Sequence, residues 1–288
     1  MPYSPLVPTI RHRRLGQALK RFRNDAGMTL EGVAGAMGWT VSKLSKIENA
    51  RQKIRPAEVT AVLRVCGVKD RMAFNALENL AKDAGKKGWW QTYSGVVSPA
   101  YGDYISHEDD AEHICEWAPL AIPGLLQTAT YARETMIATS QTRTSEDIAA
   151  LAEVRQARQA VLSRPGNPLQ LWAIIHEAAL HIRFEIRPAT MREQLRKLLD
   201  ASEMPNVTVQ IMPSNSTVHP GMFGGFSLIG FPAPFPDIVL LENLAGATYL
   251  EGEETHPFAT AVDRIRATAL PVEDSLSRIA QMEERYRK

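Results

Sequence analysis

The chain has 288 residues, and its 33 Lys and Arg nearly balance its 32 Asp and Glu, so that the formal net charge is +1. This balance excludes a uniformly basic nucleic-acid coat protein and an acidic disordered protein. At about 100–200 residues per domain, the length predicts two domains. The two cysteines, Cys66 and Cys115, lie far apart, which excludes a disulfide scaffold and a four-cysteine zinc site and favours the cytoplasm. No apolar run approaches the roughly 20 residues that a membrane-spanning helix needs.

The charge is divided unevenly along the chain. Residues 1–88 hold 17 Lys and Arg against 7 Asp and Glu, a net charge of +10, whereas residues 89–288 hold 16 against 25, a net charge of −9. A basic module joined to an acidic one indicates a polyanionic partner for the basic module. The Gly-rich and aromatic stretch from Gly85 to Gly95 lacks helical periodicity. We therefore predict a flexible arm over residues 1–10, a first domain over 11–84, a linker over 85–100 and a second domain over 101–288.

Apolar residues of the first module recur at helical spacing and predict an all-α domain of five helices. Two of these helices are short and closely spaced. Thr29 and Thr40 are their predicted N-caps, because a threonine hydroxyl can accept a hydrogen bond from an unpaired backbone N–H. So tight a connection requires a large crossing angle, and small residues would let the two backbones approach. These small residues are Ala34, Gly35 and Gly38.

The other three helices of the first module flank this pair. The first helix is expected to pack Leu15, Leu19 and Phe22 inward. Its basic side chains are predicted on the remaining faces, namely Arg14, Lys20, Arg21 and Arg23. One further helix begins at Pro56, and the last begins near Asp70. The residues of the last helix that are predicted to face inward are Met72, Leu77 and Leu80.

The helix that follows Thr40 carries one uninterrupted polar face. Its members follow the i, i+3, i+4, i+7 spacing and are Ser42, Ser45, Lys46 and Asn49. The major groove of B-DNA is wide enough to admit such a helix, and its base edges match hydroxyl and lysine side chains. The loop before Pro56 adds cations that suit phosphates, namely Arg51, Lys53 and Arg55. The alternative is a helical bundle whose lysines form only a solvated face.

The run from Met28 to Asn49 resembles the helix-turn-helix of the Xre family of phage-repressor-like regulators. The matching features are Val33-Ala34, Gly38 at the turn, and Leu44, Ile47 and Glu48 before a basic loop. The resemblance implies a lambda-repressor-like domain that binds an operator in double-stranded DNA. It places base reading on Val41, Ser42, Lys43 and Lys46, to which the polar face adds Ser45. It places phosphate contacts on Thr29, Thr40, Arg51 and Lys53, to which the polar face and the loop add Asn49 and Arg55.

The second module shows a mixed α/β pattern. Helices are predicted over 109–118, 127–138, 145–163 with Ser145 as a cap, 191–202, and 254–288 with an interruption at Pro271. Strands are predicted over 169–175, 207–212, 226–229 and 238–241.

Two patterns in the second module resemble metal sites. His176 and Glu177 are followed by His181, but the two histidines are five residues apart, about 140° around a helix, whereas zinc ligands of this kind need i and i+4. A second cluster comprises His107, Glu108, Asp109, Asp110, His113 and Cys115. The acidic start of a helix, stabilised by the helix dipole, explains its carboxylates equally well. We therefore predict no catalytic residue, no metal, no cofactor and no enzymatic activity. The segment from His219 to Gly225 is a pocket loop or a hairpin connection.

Several segments of the second module are similar to the antitoxin-like C-terminal domain of a group of actinomycete regulators. They occur in the same order and include Ile122–Arg133, Arg155–Gln159, Ile175–Leu180, Met191–Leu199, Val207–Pro213 and Val239–Asn243. With the helix-turn-helix included, the resemblance extends from residue 11 to 288. It implies a DNA-binding regulator that is often encoded beside a small protein partner.

These observations predict a cytoplasmic, sequence-specific transcription regulator whose second domain receives a signal, either a small-molecule effector or a small protein partner. An operator of two half-sites about one helical turn apart predicts a homodimer. One alternative is an antitoxin-like protein whose acidic domain holds a small basic partner and whose DNA binding is autoregulatory. Another is an enzyme that uses Glu177, Glu242 and His219, although no catalytic spacing supports it.

Overall fold

The computed structural model describes residues 9–86, 88–139, 143–243 and 246–286. The chain forms two compact units, one comprising residues up to 91 together with 231–236, and the other comprising 92–230 and 237–288. Residues 1–8, most of the predicted arm, lie outside the described residues. Among the helices that are described, none has both the length and the apolar character that crossing a bilayer requires.

The described part of the first unit contains five α-helices, as the sequence predicts. Their bounds are α1 Ile10–Asp25, α2 Leu30–Ala36, α3 Val41–Glu48, α4 Pro56–Val65 and α5 Arg71–Asp83. Thr9 caps α1, so the last two residues assigned to the arm belong to this helix. The predicted caps of the short pair are confirmed. The hydroxyl of Thr29 accepts from the Gly32 N–H at 3.1 Å and that of Thr40 accepts from the Lys43 N–H at 3.2 Å.

The close approach of two backbones in the first unit occurs at Gly16. A Cβ atom built on Gly16 would lie 2.5 Å from the carbonyl oxygen of Glu48, so the absence of a side chain lets α1 pack against the end of α3. The prediction that Gly35 and Gly38 serve such an approach is wrong, because a Cβ on either would meet nothing within 4 Å. Gly38 is needed for its backbone conformation instead, with φ at +64°.

Two predictions about side-chain orientation in the first unit are wrong. Met72 is 68% exposed, and Ala73 takes the core position one residue later. Arg14 and Arg23 are buried, although the sequence predicts both on faces of α1 other than the one that packs inward. The guanidinium of Arg14 stacks on the ring of Phe231 at 3.7 Å, and Arg23 pairs with the buried carboxylate of Glu48. Periodicity predicts which face of a helix is apolar, but tertiary partners decide whether a neighbouring arginine is covered.

The second unit is built on one six-stranded sheet. Its strands are β1 His113–Ala118, β2 Gln170–His176, β3 Val207–Met212, β4 Phe226–Gly230, β5 Ile238–Asn243 and β6 Gly246–Glu251. The order across the sheet is β3-β2-β1-β4-β5-β6. β1, β2 and β3 pair in parallel, whereas β4, β5 and β6 are joined by antiparallel pairing. β1 therefore lies in the interior of the sheet, between a parallel half and an antiparallel half.

The α-helices described in this unit are α6 Pro99–Asp110, α7 Ala129–Thr139, α8 Ser145–Arg158, α9 Thr190–Ser202, α10 His256–Thr268 and α11 Val272–Arg285. Short 3-10 helices occupy Trp89–Tyr93, Gly124–Leu126, Gln159–Leu162, Glu177–His181, Pro220–Phe223 and Gly252–Thr255. The mixed α/β class is thus as predicted. The predicted linker over 85–100 contains the first 3-10 helix and the start of α6. One face of the sheet packs Cys115, Leu228 and Val239 against Val262 and Ile265 of α10.

The helix predicted over residues 109–118 is wrong, because α6 ends at Asp110 and His113–Ala118 is the strand β1. Ile114, Cys115, Trp117 and Ala118 are all buried, as is usual for a strand covered on both faces. Such a run lacks the alternation that identifies a strand in sequence. The strand β6 is not predicted from the sequence. The predicted cap of α8 at Ser145 is wrong, because the hydroxyl of Thr144 caps this helix.

Candidate functional site

α2 and α3 of the first unit form a helix-turn-helix. The turn is closed by the Trp39 N–H, which donates to the Ala34 carbonyl at 2.8 Å, and by Gly38 in its left-handed conformation. Leu44 and Ile47 bury the inner face of α3 in the core. The opposite face of α3 is therefore held in a fixed orientation by the same contacts that stabilise the unit.

The predicted base-reading residues fall into two environments. Val41, Ser42 and Lys46 are exposed on the outer face of α3, and Ser45 is half-buried beside them. Lys46 makes no ion pair among the described residues. Lys43 differs, because its ammonium lies 2.9 Å from Glu58 Oε1 and 3.8 Å from the centre of the Trp39 ring. Lys43 would have to leave Glu58 before it could contact a base.

Three predicted phosphate contacts are also capping residues. Thr29 and Thr40 use hydroxyl lone pairs to cap α2 and α3, and neither hydroxyl donates a hydrogen bond to another described residue, so each can donate to a phosphate oxygen. Asn49 is exposed and ends α3, where its Nδ2 donates to the Ser45 carbonyl at 2.8 Å. The side-chain nitrogen of Asn49 is thus already engaged at the helix terminus.

The basic loop begins where α3 ends. Ala50 adopts φ +57°, and the Arg51 N–H donates back to the Lys46 carbonyl at 2.7 Å, which closes α3 in the manner of a Schellman motif. Arg51 and Lys53 are exposed, whereas Ile54 is buried and anchors the loop to the core. The side chains of Arg51 and Lys53 therefore reach solvent from a backbone whose position is fixed.

Glu58, in the first turn of α4, binds the end of this loop. The Arg55 N–H donates to its Oε2 at 3.0 Å, the Arg55 guanidinium lies 3.3 Å from the same oxygen, and Lys43 contacts Oε1. Burial opposes ionisation of the Glu58 carboxyl, but these hydrogen bonds outweigh it and lower the pKa of Glu58 to about 2. Arg55, although 81% exposed in its side chain, is thus partly neutralised.

A buried ion pair connects α1 to the end of α3. The Arg23 guanidinium donates to both oxygens of Glu48, at 2.7 and 2.9 Å, and a third nitrogen donates to the Met28 carbonyl at 3.0 Å. Sequence alone identifies Glu48 only as part of the helix-turn-helix motif and does not indicate Arg23 as its partner. The one sequence signal for a buried ion pair was the position of Glu48, a carboxylate that follows the inward-facing residues Leu44 and Ile47 of α3.

The zincin-like residues of the second unit have structural contacts. Glu177–His181 is a 3-10 helix, so the spacing of HExxH on an α-helix does not apply. His176 Nδ1 accepts from the Ala178 N–H at 3.1 Å. The Glu177 carboxylate accepts from the Ser214 N–H at 3.0 Å and pairs with Arg278. These bonds fix the connection after β2.

The acidic cluster around residue 110 is divided between α6 and β1. Glu108 pairs with the Arg158 guanidinium at 2.7 and 2.5 Å, and both side chains are buried. Burial raises the pKa of the Cys115 thiol to about 12. In the part of the chain that the structure describes, no three His, Cys, Asp or Glu side chains are grouped so that they could hold a metal ion.

The structure also places Glu242 and His219. His219 is buried, with its ring 5.4 Å from that of Trp117, and burial followed by the nearby His176 lowers its pKa. Glu242 is exposed near the end of β5, and Glu177 is engaged by Arg278. Glu177 is thus held by Ser214 and Arg278, whereas the ring of His219 packs against Trp117.

Comparison with known families assigns both parts of the chain. Residues 14–74 match a model described as a helix-turn-helix domain. Residues 101–281, more than half of the chain, match a model described as a domain of unknown function, DUF5753. No curated protein and no solved structure matches the chain significantly. The protein is therefore a DNA-binding regulator of the helix-turn-helix class that belongs to the DUF5753 family.

Proposed function

We propose that the protein is a sequence-specific, Xre-type transcription regulator that inserts α3 into the major groove of its operator. The observation that carries the proposal is the division of α3 into a buried face, Leu44 and Ile47, and an exposed face that bears Val41, Ser42 and Lys46. The groove accommodates one α-helix, and a helix held by its inner face can present three side chains to base edges together.

Within this proposal, Lys46 is the principal base-reading residue. Its ammonium is exposed and has no acidic partner in the described chain, so no ion pair must break before it reaches the N7 and O6 acceptors of guanine. Val41 adds an apolar contact of the kind that a thymine methyl group accepts. Ser42 is adaptable, because a hydroxyl both donates and accepts.

The surrounding cations and caps position α3 on the DNA backbone. Arg51 and Lys53 are exposed in the loop after α3, and each phosphate that they neutralise releases counterions. The hydroxyl hydrogens of Thr29 and Thr40 lie at the starts of α2 and α3, where backbone N–H groups also favour phosphate. These contacts supply affinity that does not depend on sequence. A regulator with one such helix per chain reads two half-sites as a homodimer, and we propose this assembly.

The proposal is tested by selecting a binding site from random duplexes with the full chain and then comparing Lys46→Ala with wild type. We expect the variant to lose about 1–3 kcal/mol on the selected site and much less on a random duplex, because a base contact acts only where its base is present. Lys69→Ala, which removes another exposed lysine from the same unit, is the matched control. An equal loss on both duplexes would reduce Lys46 to a phosphate contact. Failure to select any site would refute sequence-specific binding.

A further inference from the structure

The second unit contains a cavity of about 340 Å³ beside the middle of its sheet. Charged and phenolic side chains concentrate in its wall, namely Tyr101, Tyr104, Glu116, Arg155, Arg158 and Glu242. Apolar residues such as Ile122 and Leu240 complete it. The volume lies at the lower end of the roughly 300–1,000 Å³ that is typical of small-molecule sites.

Each of the three guanidinium nitrogens of Arg158 already donates a hydrogen bond within the protein, so Arg158 needs no ligand. Its Nε and Nη2 donate to the two oxygens of Glu108, and its Nη1 donates to the Tyr101 hydroxyl at 2.7 Å. Arg158 and Glu108 are both buried, so their charges cancel within the wall. This pair forms a neutral, fixed part of the cavity.

Arg155, one turn earlier on α8, has no such partner. Its Nη1 donates to the side-chain oxygen of Gln127 at 2.9 Å, which is a neutral acceptor. Its Nε is buried and makes no hydrogen bond within the described residues. No carboxylate in that part of the chain forms an ion pair with Arg155. A buried donor without an acceptor costs about 1–3 kcal/mol, which an incoming acceptor would recover.

Glu116 is the acidic counterpart of Arg155. It lies in β1 opposite Ala173 of β2 and Ser227 of β4, and the alternation of the strand directs it away from the face that carries Cys115. Its carboxyl group accepts no hydrogen bond from any residue that the structure describes. Burial and then the charge of Glu108 raise the pKa of Glu116 to about 8, and this effect outweighs the opposing influence of Arg158 and Arg155.

We propose that the cavity binds a small zwitterion, such as an amino acid, with the ammonium group of the ligand against Glu116 and its carboxylate against Arg155. One molecule that carries both charges satisfies two groups of this wall, the Arg155 Nε and the Glu116 carboxyl, that have no hydrogen-bond partner within the described chain. A cation alone would leave the Arg155 Nε without an acceptor. An anion alone would leave the Glu116 carboxyl without a hydrogen-bond partner among the described residues. The volume is too small for a peptide segment or a nucleic acid.

Binding of the ammonium group ionises Glu116. The proton leaves the carboxyl group for solvent, and the resulting carboxylate pairs with the ligand. The charged and titratable groups that face Glu116 are Glu108 and Tyr104 of α6, Arg155 and Arg158 of α8, and Glu242 of β5. Since Glu108 and Arg158 neutralise each other, proton release below pH 8 reports mainly on Glu116. The inference deepens the predicted signal-receiving role of the second unit, but ligand binding itself does not depend on DNA binding.

The test is calorimetric titration of the full chain at pH 7 in two buffers that differ in ionisation enthalpy. The probes are the twenty standard amino acids and 4-aminobutanoate. The comparison compounds are 1,4-diaminobutane, which carries only positive charge, and succinate, which carries only negative charge. We expect one or more zwitterions to bind with release of nearly one proton, and the diamine and succinate to bind weakly or not at all. This measurement on wild type requires no variant to fold.

Variants then assign the two ends of the ligand. Glu116→Gln is expected to abolish proton release, and both Glu116→Gln and Arg155→Met are expected to weaken binding by at least about tenfold, the value of one charge-assisted hydrogen bond. Glu112→Gln, which removes an exposed carboxylate immediately before β1, is the matched control and is expected to bind as wild type does.

Three outcomes would overturn the proposal: no binding by any zwitterion at millimolar concentration, equal binding of the diamine or succinate, or unchanged proton release in Glu116→Gln. Operator binding is measured separately on the same samples. A protein that binds a zwitterion but selects no DNA site refutes the proposed function alone. A protein that selects a site but binds no zwitterion refutes this inference alone.

Discussion

The two units differ in where those ionisable side chains lie that make no ion pair with another described residue. In the first unit Lys46, Arg51 and Lys53 are exposed, while Arg23 and Glu48 neutralise each other in the interior. In the second unit Arg155 and Glu116 line a cavity, next to the neutral pair of Arg158 and Glu108. Exposed cations act on an extended polyanion through many weak contacts that salt screens. Charges inside a cavity are screened less and act on one small molecule at close range. The same residue types therefore suit two different kinds of partner.

The largest effect is expected from the buried pair of the second unit. Arg158→Met leaves the Glu108 carboxylate buried without its partner, and we expect the free energy of unfolding of this unit to fall by about 3–5 kcal/mol. Arg196→Met is the matched control, because Arg196 pairs with Asp200 on the surface of α9, where a loss below about 1 kcal/mol is expected. Urea denaturation measures both. A similar loss in the two variants would show that the Arg158–Glu108 pair contributes no more than a surface pair.

A smaller effect is expected at the contact that orients α3. Gly16→Ala places a methyl group 2.5 Å from the Glu48 carbonyl oxygen, and we expect it to destabilise the first unit by about 1–3 kcal/mol. Gly35→Ala is the control, because nothing lies within 4 Å of the added methyl group and alanine favours a helix more than glycine does. Thermal unfolding compares the two. If Gly35→Ala proved as destabilising as Gly16→Ala, helix packing at Gly16 would not be the cause.

The smallest effect is expected at Glu58, whose cationic partners are partly exposed. Its folded pKa of about 2 lies below the usual 4.5, so protons bind the unfolded chain more readily. The stabilisation is therefore complete above pH 4.5 and is lost as pH falls towards 2. We expect Glu58→Gln to cost about 1 kcal/mol at neutral pH and nothing near pH 2. Chemical denaturation across this range measures the difference. A difference independent of pH would mean that packing, and not ionisation, of Glu58 matters.

Local patterns predicted the elements that form from neighbouring residues. Thr29 and Thr40 cap helices because a hydroxyl three residues before a free N–H needs no distant partner. Val207–Met212 alternates and is a strand with those bounds. The run His113–Ala118 does not alternate, because both of its sides are covered, and it was predicted to be a helix. The strand β6 was missed because it is only partly buried and depends on pairing with β5.

The residues of the candidate sites likewise differ in whether the sequence could identify them. The exposed residues of α3 and the basic loop could be chosen from sequence, because a helical face and a loop are local features. Lys43 and Arg55 could not be distinguished from Lys46, because their shared partner Glu58 is known only from the fold. Glu116 was not chosen at all. It stands in an apolar strand, and its unusual environment arises from α6, α8 and β5 together.

The sequence by itself determined the all-α basic module, the mixed α/β acidic module, the helix-turn-helix and the opposite charges of the two. These depend on composition, spacing and hydrogen bonds within a few residues of the chain. Only the tertiary structure decided which charges are paired. The pairs Arg23 with Glu48 and Arg158 with Glu108 join elements far apart in sequence, and so does the wall that brings Arg155 and Glu116 together without an ion-pair partner among the described residues. Charged residues have no regular spacing along the sequence that indicates their partners, so packing in three dimensions decides which of them pair.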